Sequence, residues 1–228
     1  MRTWFPFTDY DFYAYLTSGL ILVATFDLAF FGGELVYQES WTFVQGVFWT
    51  IVCYLIGHVV AGLSSLILQQ LAFSGLFLSP EAIVLDLKGP RLHERIFRRL
   101  FADEYSRLPE HISRIIREKL AQETGNEISI QTDRETIFQT AFSVSRYEVS
   151  SKERLDVFMN LYGLCRNVSF SFLISSAVFT TSALLARDRF DIILAFITGI
   201  MAVGMFGRYL KFYSAYTREI LRTYGRKS

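Results

Sequence analysis

The sequence has few cysteines and few histidines. Its 228 residues include two cysteines, Cys53 and Cys165, and three histidines, His58, His93 and His111. Both cysteines lie in apolar stretches, no CxxC pair is present, and the histidines occur in unrelated contexts. We therefore expect two buried, reduced thiols, no disulfide framework and no metal site.

Sequence signatures of catalysis and of nucleic-acid binding are also missing. The sequence contains no Walker loop, no HExxH, no GxSxG and no dinucleotide-binding fingerprint. Its formal net charge of +1 is too small to favour nucleic acid as a partner. We expect a protein that is not an enzyme, requires no cofactor and does not bind nucleic acid directly.

Apolar residues are abundant, and they are concentrated in four runs. The overall hydrophobic fraction of 51% settles little, because soluble proteins come close to it. The distribution is more informative: the runs cover roughly 12–33, 41–78, 165–186 and 190–207, with a charge-rich segment between the second and third. A membrane-spanning helix needs about 20 mostly apolar residues. We predict an all-α integral membrane protein with four transmembrane helices.

The first two runs require separate interpretation. The N-terminal sequence MRTWFPFTDYDFYAY has one Arg and two Asp, which is a poor start for a signal peptide, so we expect the first span to be retained. As a single helix the second run would be about 60 Å long, whereas a hydrocarbon core is about 30 Å thick. We expect one span at about 41–62, with 63–78 packed against protein or lying in the interface.

Positive charge lies on one side of the predicted spans. The loop GGELVYQES after the first span has no basic residue, whereas Lys and Arg follow the second and fourth spans and precede the third. Lys and Arg are enriched in cytoplasmic loops. We predict a multi-pass protein of the bacterial inner membrane, with both termini and residues 80–155 in the cytoplasm.

Helical periodicity continues beyond the third and fourth spans. Ser150-Ser151 resembles an N-cap, and the apolar stripe after it runs into the third span without a Pro or a glycine pair. After Arg208, aromatic and basic residues separate onto two faces, which predicts a helix to about Tyr224 that Gly225 ends. The aromatic face carries Tyr209, Phe212, Tyr213, Tyr216, Ile220 and Tyr224, and the basic face carries Arg208, Lys211, Arg218 and Arg222.

These extensions predict that the second to fourth spans continue into a cytoplasmic helical stalk. In the alternative, the aromatic face after Arg208 lies on lipid and the basic face meets anionic headgroups. The predicted domain organisation has the first two spans in 1–78, a mainly helical cytoplasmic insertion in 79–151, and the last two spans with the C-terminal helix in 152–228.

Within the insertion, helix signals outnumber strand signals. A helix is predicted from Pro109 to Gly125, a second from near Asp133, and a basic amphipathic third over 91–101. Short strands are predicted at 82–87 and 127–131.

The predicted third span carries polar groups on two nearly opposite faces. Such faces serve either helix packing through hydroxyl hydrogen bonds or, in an oligomer, the lining of a water-filled path. The first face, which is the candidate for path lining or helix packing, carries Arg166, Ser169, Ser176 and Thr180, and the other face carries Ser171, Ser175 and Ser182.

Two ionisable residues lie within the predicted spans, where a charge is costly and marks a functional candidate. Asp27 is six residues from Gly33, close to the outer interface, where the cost is small. His58 is expected to be a neutral, hydrogen-bonded core histidine. Outside the membrane, basic residues are candidates to contact anionic headgroups or a partner, with a simple solvated face as the other interpretation. They are Arg91, Arg95, Arg98, Arg99, Arg208, Lys211, Arg218 and Arg222.

The layout of four spans and a cytoplasmic helical part resembles the small multi-span proteins of bacterial anti-phage systems, in which a membrane subunit works with a soluble partner. The resemblance is one of size and layout, so it implies no residue roles. It leads to the expectation of a homo-oligomeric, channel-like membrane effector in antiviral defence, controlled by its cytoplasmic region. The alternative is a membrane scaffold or sensor subunit that recruits a soluble cytoplasmic protein.

Overall fold

The computed structural model describes residues 9–68, 109–124, 134–146, 149–186 and 188–226. Regular secondary structure in these ranges is helical, with no strand, which confirms the all-α prediction for this part of the chain. Four of the helices are long and apolar enough to cross a membrane. The helices are α1 (Asp9–Phe30), α2 (Phe43–Ser64), α3 (Glu110–Thr124), α4 (Arg134–Arg146), α5 (Val149–Ala186) and α6 (Arg189–Arg226).

Several sequence-based predictions concern residues outside the described ranges. They are the basic helix over 91–101 and the short strands at 82–87 and 127–131. The predicted continuation of the second span is described only in part: a π-helical turn follows α2 as far as Leu68.

The chain forms two compact units, each built from two separate segments. Unit 1 combines Met1–Leu71 with Gly163–Tyr209, and unit 2 combines Ala72–Tyr162 with Leu210–Ser228. Helices α5 and α6 each contribute to both units, because each is a continuous helix of 38 residues. The predicted division into 1–78, 79–151 and 152–228 follows the order of the chain, whereas each unit pairs an earlier segment with a later one.

In unit 1, α1 and α2 run antiparallel and approach closely at two glycines. A Cβ atom on Gly19 would overlap the backbone carbonyl of Cys53, and one on Gly57 would overlap the backbone carbonyl of Tyr15. Small residues allow membrane helices to bring their backbones into contact. The two glycines therefore set the distance between α1 and α2.

Hydrogen bonds in unit 1 define the directions of the other helices. Contacts between α1 and α5 advance along both helices together, from Ser18 with Ser171 to Thr25 with Ser175, so these two helices run parallel. Contacts between α5 and α6 advance in opposite directions, so these two are antiparallel. The α1–α2 and α5–α6 connections consequently lie at the same end of unit 1, as four successive spans require.

The outside of unit 1 is more apolar than its interior. The small core contains Leu22, Val60 and Phe170, while serines and threonines are buried between the helices. Large apolar side chains point outward instead, with Phe43 86% exposed and Leu185 78% exposed. Apolar surface of this extent is unusual on a soluble monomer and fits a lipid or protein environment. On α2 and α6 it includes Val44, Val47, Phe48, Ile51, Leu55, Val59, Ile192, Ile193, Phe196, Ile197 and Ile200.

In unit 2, the last part of α6 forms the core. Tyr216, Ile220 and Tyr224 are buried, and the Tyr162 ring of α5 lies 5.2 Å from that of Tyr213 and 5.6 Å from that of Tyr216. The predicted helical continuation of the fourth run is confirmed, with α6 ending at Arg226 instead of near Tyr224. The burial is wider than one aromatic face, because Leu210, Ser214, Thr217, Leu221 and Thr223 are buried as well.

Candidate functional site

The hydroxyl groups on one face of α5 form hydrogen bonds to α6. Ser169 Oγ donates to the Ala202 carbonyl oxygen at 2.8 Å, and Ser176 Oγ donates to the Ala195 carbonyl oxygen at 2.9 Å. Ser169 is buried and Ser176 is half-buried. Both hydroxyls tie two helices of the same chain together.

The opposite face of α5 is bonded to α1 in the same manner. Ser171 Oγ donates to the Ser18 carbonyl oxygen at 3.0 Å, and the hydroxyl oxygens of Thr25 and Ser175 lie 2.7 Å apart. The four residues are buried. The two polar faces predicted from the sequence therefore correspond to two helix neighbours, α6 on one side and α1 on the other.

Thr180 and Arg166 complete the candidate face. Thr180 is exposed, and its hydroxyl donates to the carbonyl oxygen of Ser176 one turn earlier, at 2.7 Å. Half-buried Arg166 has its Nε 3.4 Å from Oδ1 of the neighbouring Asn167, an oxygen that also accepts a 2.8 Å hydrogen bond from Ser64 Oγ of α2. Of the four candidate residues, Ser169 and Ser176 therefore bond to another helix, whereas the Thr180 hydrogen bond and the Arg166 contact with Asn167 lie within α5.

Asp27 is buried and holds the loop that follows α1. It is 2% exposed, and its Oδ2 accepts hydrogen bonds from the backbone N–H groups of Leu35 at 3.0 Å and Val36 at 2.9 Å. Its Oδ1 is also buried and has no hydrogen-bond partner among the described residues. The chain reverses through Gly32 and Gly33, whose φ angles of 69° and 80° suit glycine. Asp27 therefore anchors the turn that follows α1.

A second buried carboxylate lies at the same end of unit 1 and was not identified from the sequence. Asp191 Oδ2 accepts a 2.6 Å hydrogen bond from Ser182 Oγ of α5, and Asp191 is 7% exposed. Asp191 stands in the first turn of α6, where a negative charge is favourable to the helix dipole. That position is the signal in the sequence that could have identified Asp191.

His58 differs from the buried core histidine expected from the sequence. Its side chain is exposed on α2, and its ring stacks on Tyr15 with centroids 4.0 Å apart and an angle of 28°. The Tyr54 ring meets it edge-on at 4.7 Å. Ring contacts therefore hold His58 in place, at the surface of unit 1.

The predicted basic face of the C-terminal helix is exposed in part. Arg208, Lys211 and Arg222 are exposed, but Arg218 is half-buried, with a buried Nε. The reason is that α6 is surrounded on most sides in this region. The other predicted contact residues, Arg91, Arg95, Arg98 and Arg99, lie outside the described residues.

Unit 2 also contains a cleft, which was not predicted from the sequence. It has a volume of about 370 Å³ and lies between the start of α3 and the end of α6. Its lining has a polar part, formed by His111, Arg222 and Arg226, and a less polar part, formed by Ile112, Ile115 and Gly225. Two guanidinium groups border the cleft, and neither Arg222 nor Arg226 forms an ion pair with another described residue.

Comparison with protein-family models, with curated proteins and with solved structures finds no match to this chain. Among the described residues, no group of three or more His, Cys, Asp or Glu side chains is placed to hold a metal ion.

Proposed function

We propose that the protein is a four-span protein of the bacterial inner membrane, with both termini in the cytoplasm. Four long apolar helices and the outward-facing apolar side chains of unit 1 support insertion. The basic residues that follow the second and fourth apolar runs support a cytoplasmic location for unit 2. In this proposal, the second to fourth spans continue into the cytoplasm as a helical stalk.

We further propose that the protein acts as a membrane scaffold or sensor subunit that recruits a soluble cytoplasmic protein. The observation that carries this proposal is the pairing of the α5 hydroxyls inside one chain, at Ser169, Ser171, Ser175 and Ser176. These four hydroxyls bond to neighbouring helices, so they are not available to face a conducting path. In this proposal, the helices of unit 1 form a stable membrane anchor, and unit 2 provides the surface that binds a partner.

The experiment that tests the scaffold is purification of the tagged full-length protein from its native cells, with identification of co-purifying proteins. A soluble protein that co-purifies with wild type, and is lost when the exposed Lys211 of unit 2 is changed to Gln, supports recruitment. Arg114→Gln is the matched control, because Arg114 is exposed on another helix of unit 2 and pairs with Glu118. Recovery of the membrane protein alone would argue against the scaffold.

The channel-like homo-oligomer predicted from the sequence is the second candidate, and one observation favours it. His58 is an ionisable side chain exposed on a helix whose other exposed side chains are mostly apolar. In lipid such a group is costly, so a neighbouring subunit or water would be a better environment for it. The resemblance in layout to membrane subunits of anti-phage systems supports defence as the setting for either candidate.

Dye-reported membrane potential in expressing cells distinguishes the two candidates. A channel lined by His58 predicts depolarisation that disappears in His58→Phe, a substitution that keeps the ring stacking on Tyr15. Normal membrane potential with the wild-type protein at equal expression would exclude a constitutively open channel and favour the scaffold.

A further inference from the structure

The cleft in unit 2 has the size and the lining of a small-molecule site. Its volume of about 370 Å³ falls in the range of ligand pockets, which is about 300–1,000 Å³. Ile112, Ile115 and Gly225 supply an apolar portion, and Arg222, Arg226 and His111 supply hydrogen-bond donors. Ligand sites commonly combine an apolar wall with a few converging polar groups.

Among the residues that the structure describes, no ion pair balances the two arginines at this cleft. Arg222 and Arg226 are four residues apart, so their side chains lie on the same helical face, where like charges repel and destabilise the helix slightly. Glu219, the acidic residue closest to them in sequence, is already paired with Arg154 at 2.8 Å. A bound anion would relieve this repulsion.

The frame around the cleft is held by direct contacts. Lys119 Nζ of α3 donates to the Tyr224 carbonyl oxygen at 3.0 Å, and the same ammonium lies 4.6 Å from the centre of the Tyr224 ring. A Cβ atom on Gly225 would be 3.5 Å from Ile116 Cγ1, so α3 and the end of α6 are in close contact. These contacts place the backbone of the two arginines relative to the isoleucines.

We propose that this cleft binds a small molecule that carries a phosphate group on an apolar body. Guanidinium groups form paired hydrogen bonds with phosphate oxygens, and two of them match a doubly charged anion better than a single carboxylate. The isoleucines contact the apolar body. The phosphate belongs either to a soluble metabolite or to a lipid headgroup, and the proposal rests on the geometry of unit 2 and does not depend on recruitment of a partner.

The test is calorimetric titration of the full-length protein, in phosphatidylcholine nanodiscs, with phenyl phosphate and with inorganic phosphate. We expect saturable binding of phenyl phosphate, and weaker binding of inorganic phosphate, which lacks the apolar body. Arg222→Gln and Arg226→Gln should each lower the affinity about tenfold, the loss expected for one hydrogen bond to a charged group. The control is Arg114→Gln, which removes an equal charge from a side chain that is 74% exposed and outside the cleft.

A second variant tests the apolar portion. Ile115→Trp fills it, and should lower the affinity for phenyl phosphate to that of inorganic phosphate while leaving inorganic phosphate binding unchanged. Circular dichroism melting verifies that each variant is folded. The proposal is overturned if wild type shows no saturable binding, or if Arg114→Gln lowers the affinity as much as Arg222→Gln.

The source of the phosphate is identified by repeating the titration in nanodiscs that contain phosphatidic acid. A lowered apparent affinity for phenyl phosphate, absent in the Arg222→Gln with Arg226→Gln double variant, supports the site with a lipid headgroup as its occupant. An unchanged affinity supports the site with a soluble occupant.

Discussion

The close contact between α1 and α2 leads to the sharpest stability prediction. Changing Gly57 to Ala places a Cβ atom 2.8 Å from Tyr15 Cα and into overlap with the Tyr15 carbonyl oxygen, where ordinary contact is 3.4–4 Å. The obstacle is backbone, so no side chain can rotate away, and the helices must separate. A gap of about 0.5–1 Å already removes a quarter to a half of the dispersion attraction across it.

We therefore expect Gly57→Ala to lower the free energy of unfolding by about 1–3 kcal/mol, the range for overpacked cores. The matched control lies on the same helix: a Cβ atom on Gly62 would meet nothing within 4 Å. Gly62→Ala should be neutral or stabilising by up to about 1 kcal/mol, because Ala has the higher helix propensity. The measurement is unfolding in mixed micelles of increasing SDS fraction, followed by circular dichroism.

The reciprocal glycine supplies an internal check. Gly19→Ala places its Cβ atom against the Cys53 carbonyl, so it forces the same separation of α1 from α2. Two substitutions that share one structural response are not additive. The double variant should lose clearly less than the sum of the single losses. Equal effects of Gly57→Ala and Gly62→Ala, or strict additivity of Gly19→Ala and Gly57→Ala, would refute the reasoning.

Three further predictions concern polar groups and the C-terminal helix. Ser169→Ala with Ser176→Ala removes two interhelical hydrogen bonds and should cost about 1 kcal/mol in the same SDS assay, whereas Thr181→Ala, whose hydroxyl bonds only its own helix, should be close to neutral. Asp27→Ala leaves two loop N–H groups without their acceptor and should cost about 1–3 kcal/mol, while Asp27→Asn, which retains one oxygen, should cost less; equal losses would contradict the loop-anchor role. Truncation after Arg208 removes most of the unit 2 core and should make unit 2 sensitive to protease, whereas removal of residues 227–228 should not; resistance of both would contradict a core role for this helix.

The sequence predicted the four long apolar helices and the ordered C-terminal helix because both depend on periodicity along one chain segment. Twenty apolar residues or an aromatic stripe with a period of 3.6 are visible without knowledge of any neighbour. The extra burial of Leu210, Thr217 and Leu221 was not predicted, because burial depends on neighbours that the periodicity of one segment does not reveal. Ser145 of α4, for example, donates to the Ile220 carbonyl oxygen at 2.9 Å.

The polar groups show the same limit. The two faces of α5 were visible in the sequence, but whether they line a path or bond to neighbours depends on which helices lie opposite. Asp191 was overlooked because its Ser182 partner stands at the end of another helix. The cleft in unit 2 combines residues more than 100 positions apart, His111 with Arg222 and Arg226, so no local sequence motif predicts it.

The contacts of α5 with α6 fix the register of this helix pair in each unit separately. In unit 1, the hydroxyls of Ser169 and Ser176 bond to carbonyl oxygens of α6, and in unit 2 Arg154 of α5 pairs with Glu219 at 2.8 Å. Sliding one helix past the other by a residue would break the interhelical hydrogen bonds of Ser169 and Ser176, and a buried hydroxyl such as that of Ser169 is costly to leave unpaired. We therefore expect a signal that passes along α5 and α6 to move the two helices together, because sliding one along the other would break these hydrogen bonds. A disulfide introduced between α5 and α6 in unit 1 should consequently leave ligand or partner binding by unit 2 intact, and a loss of binding would point to sliding.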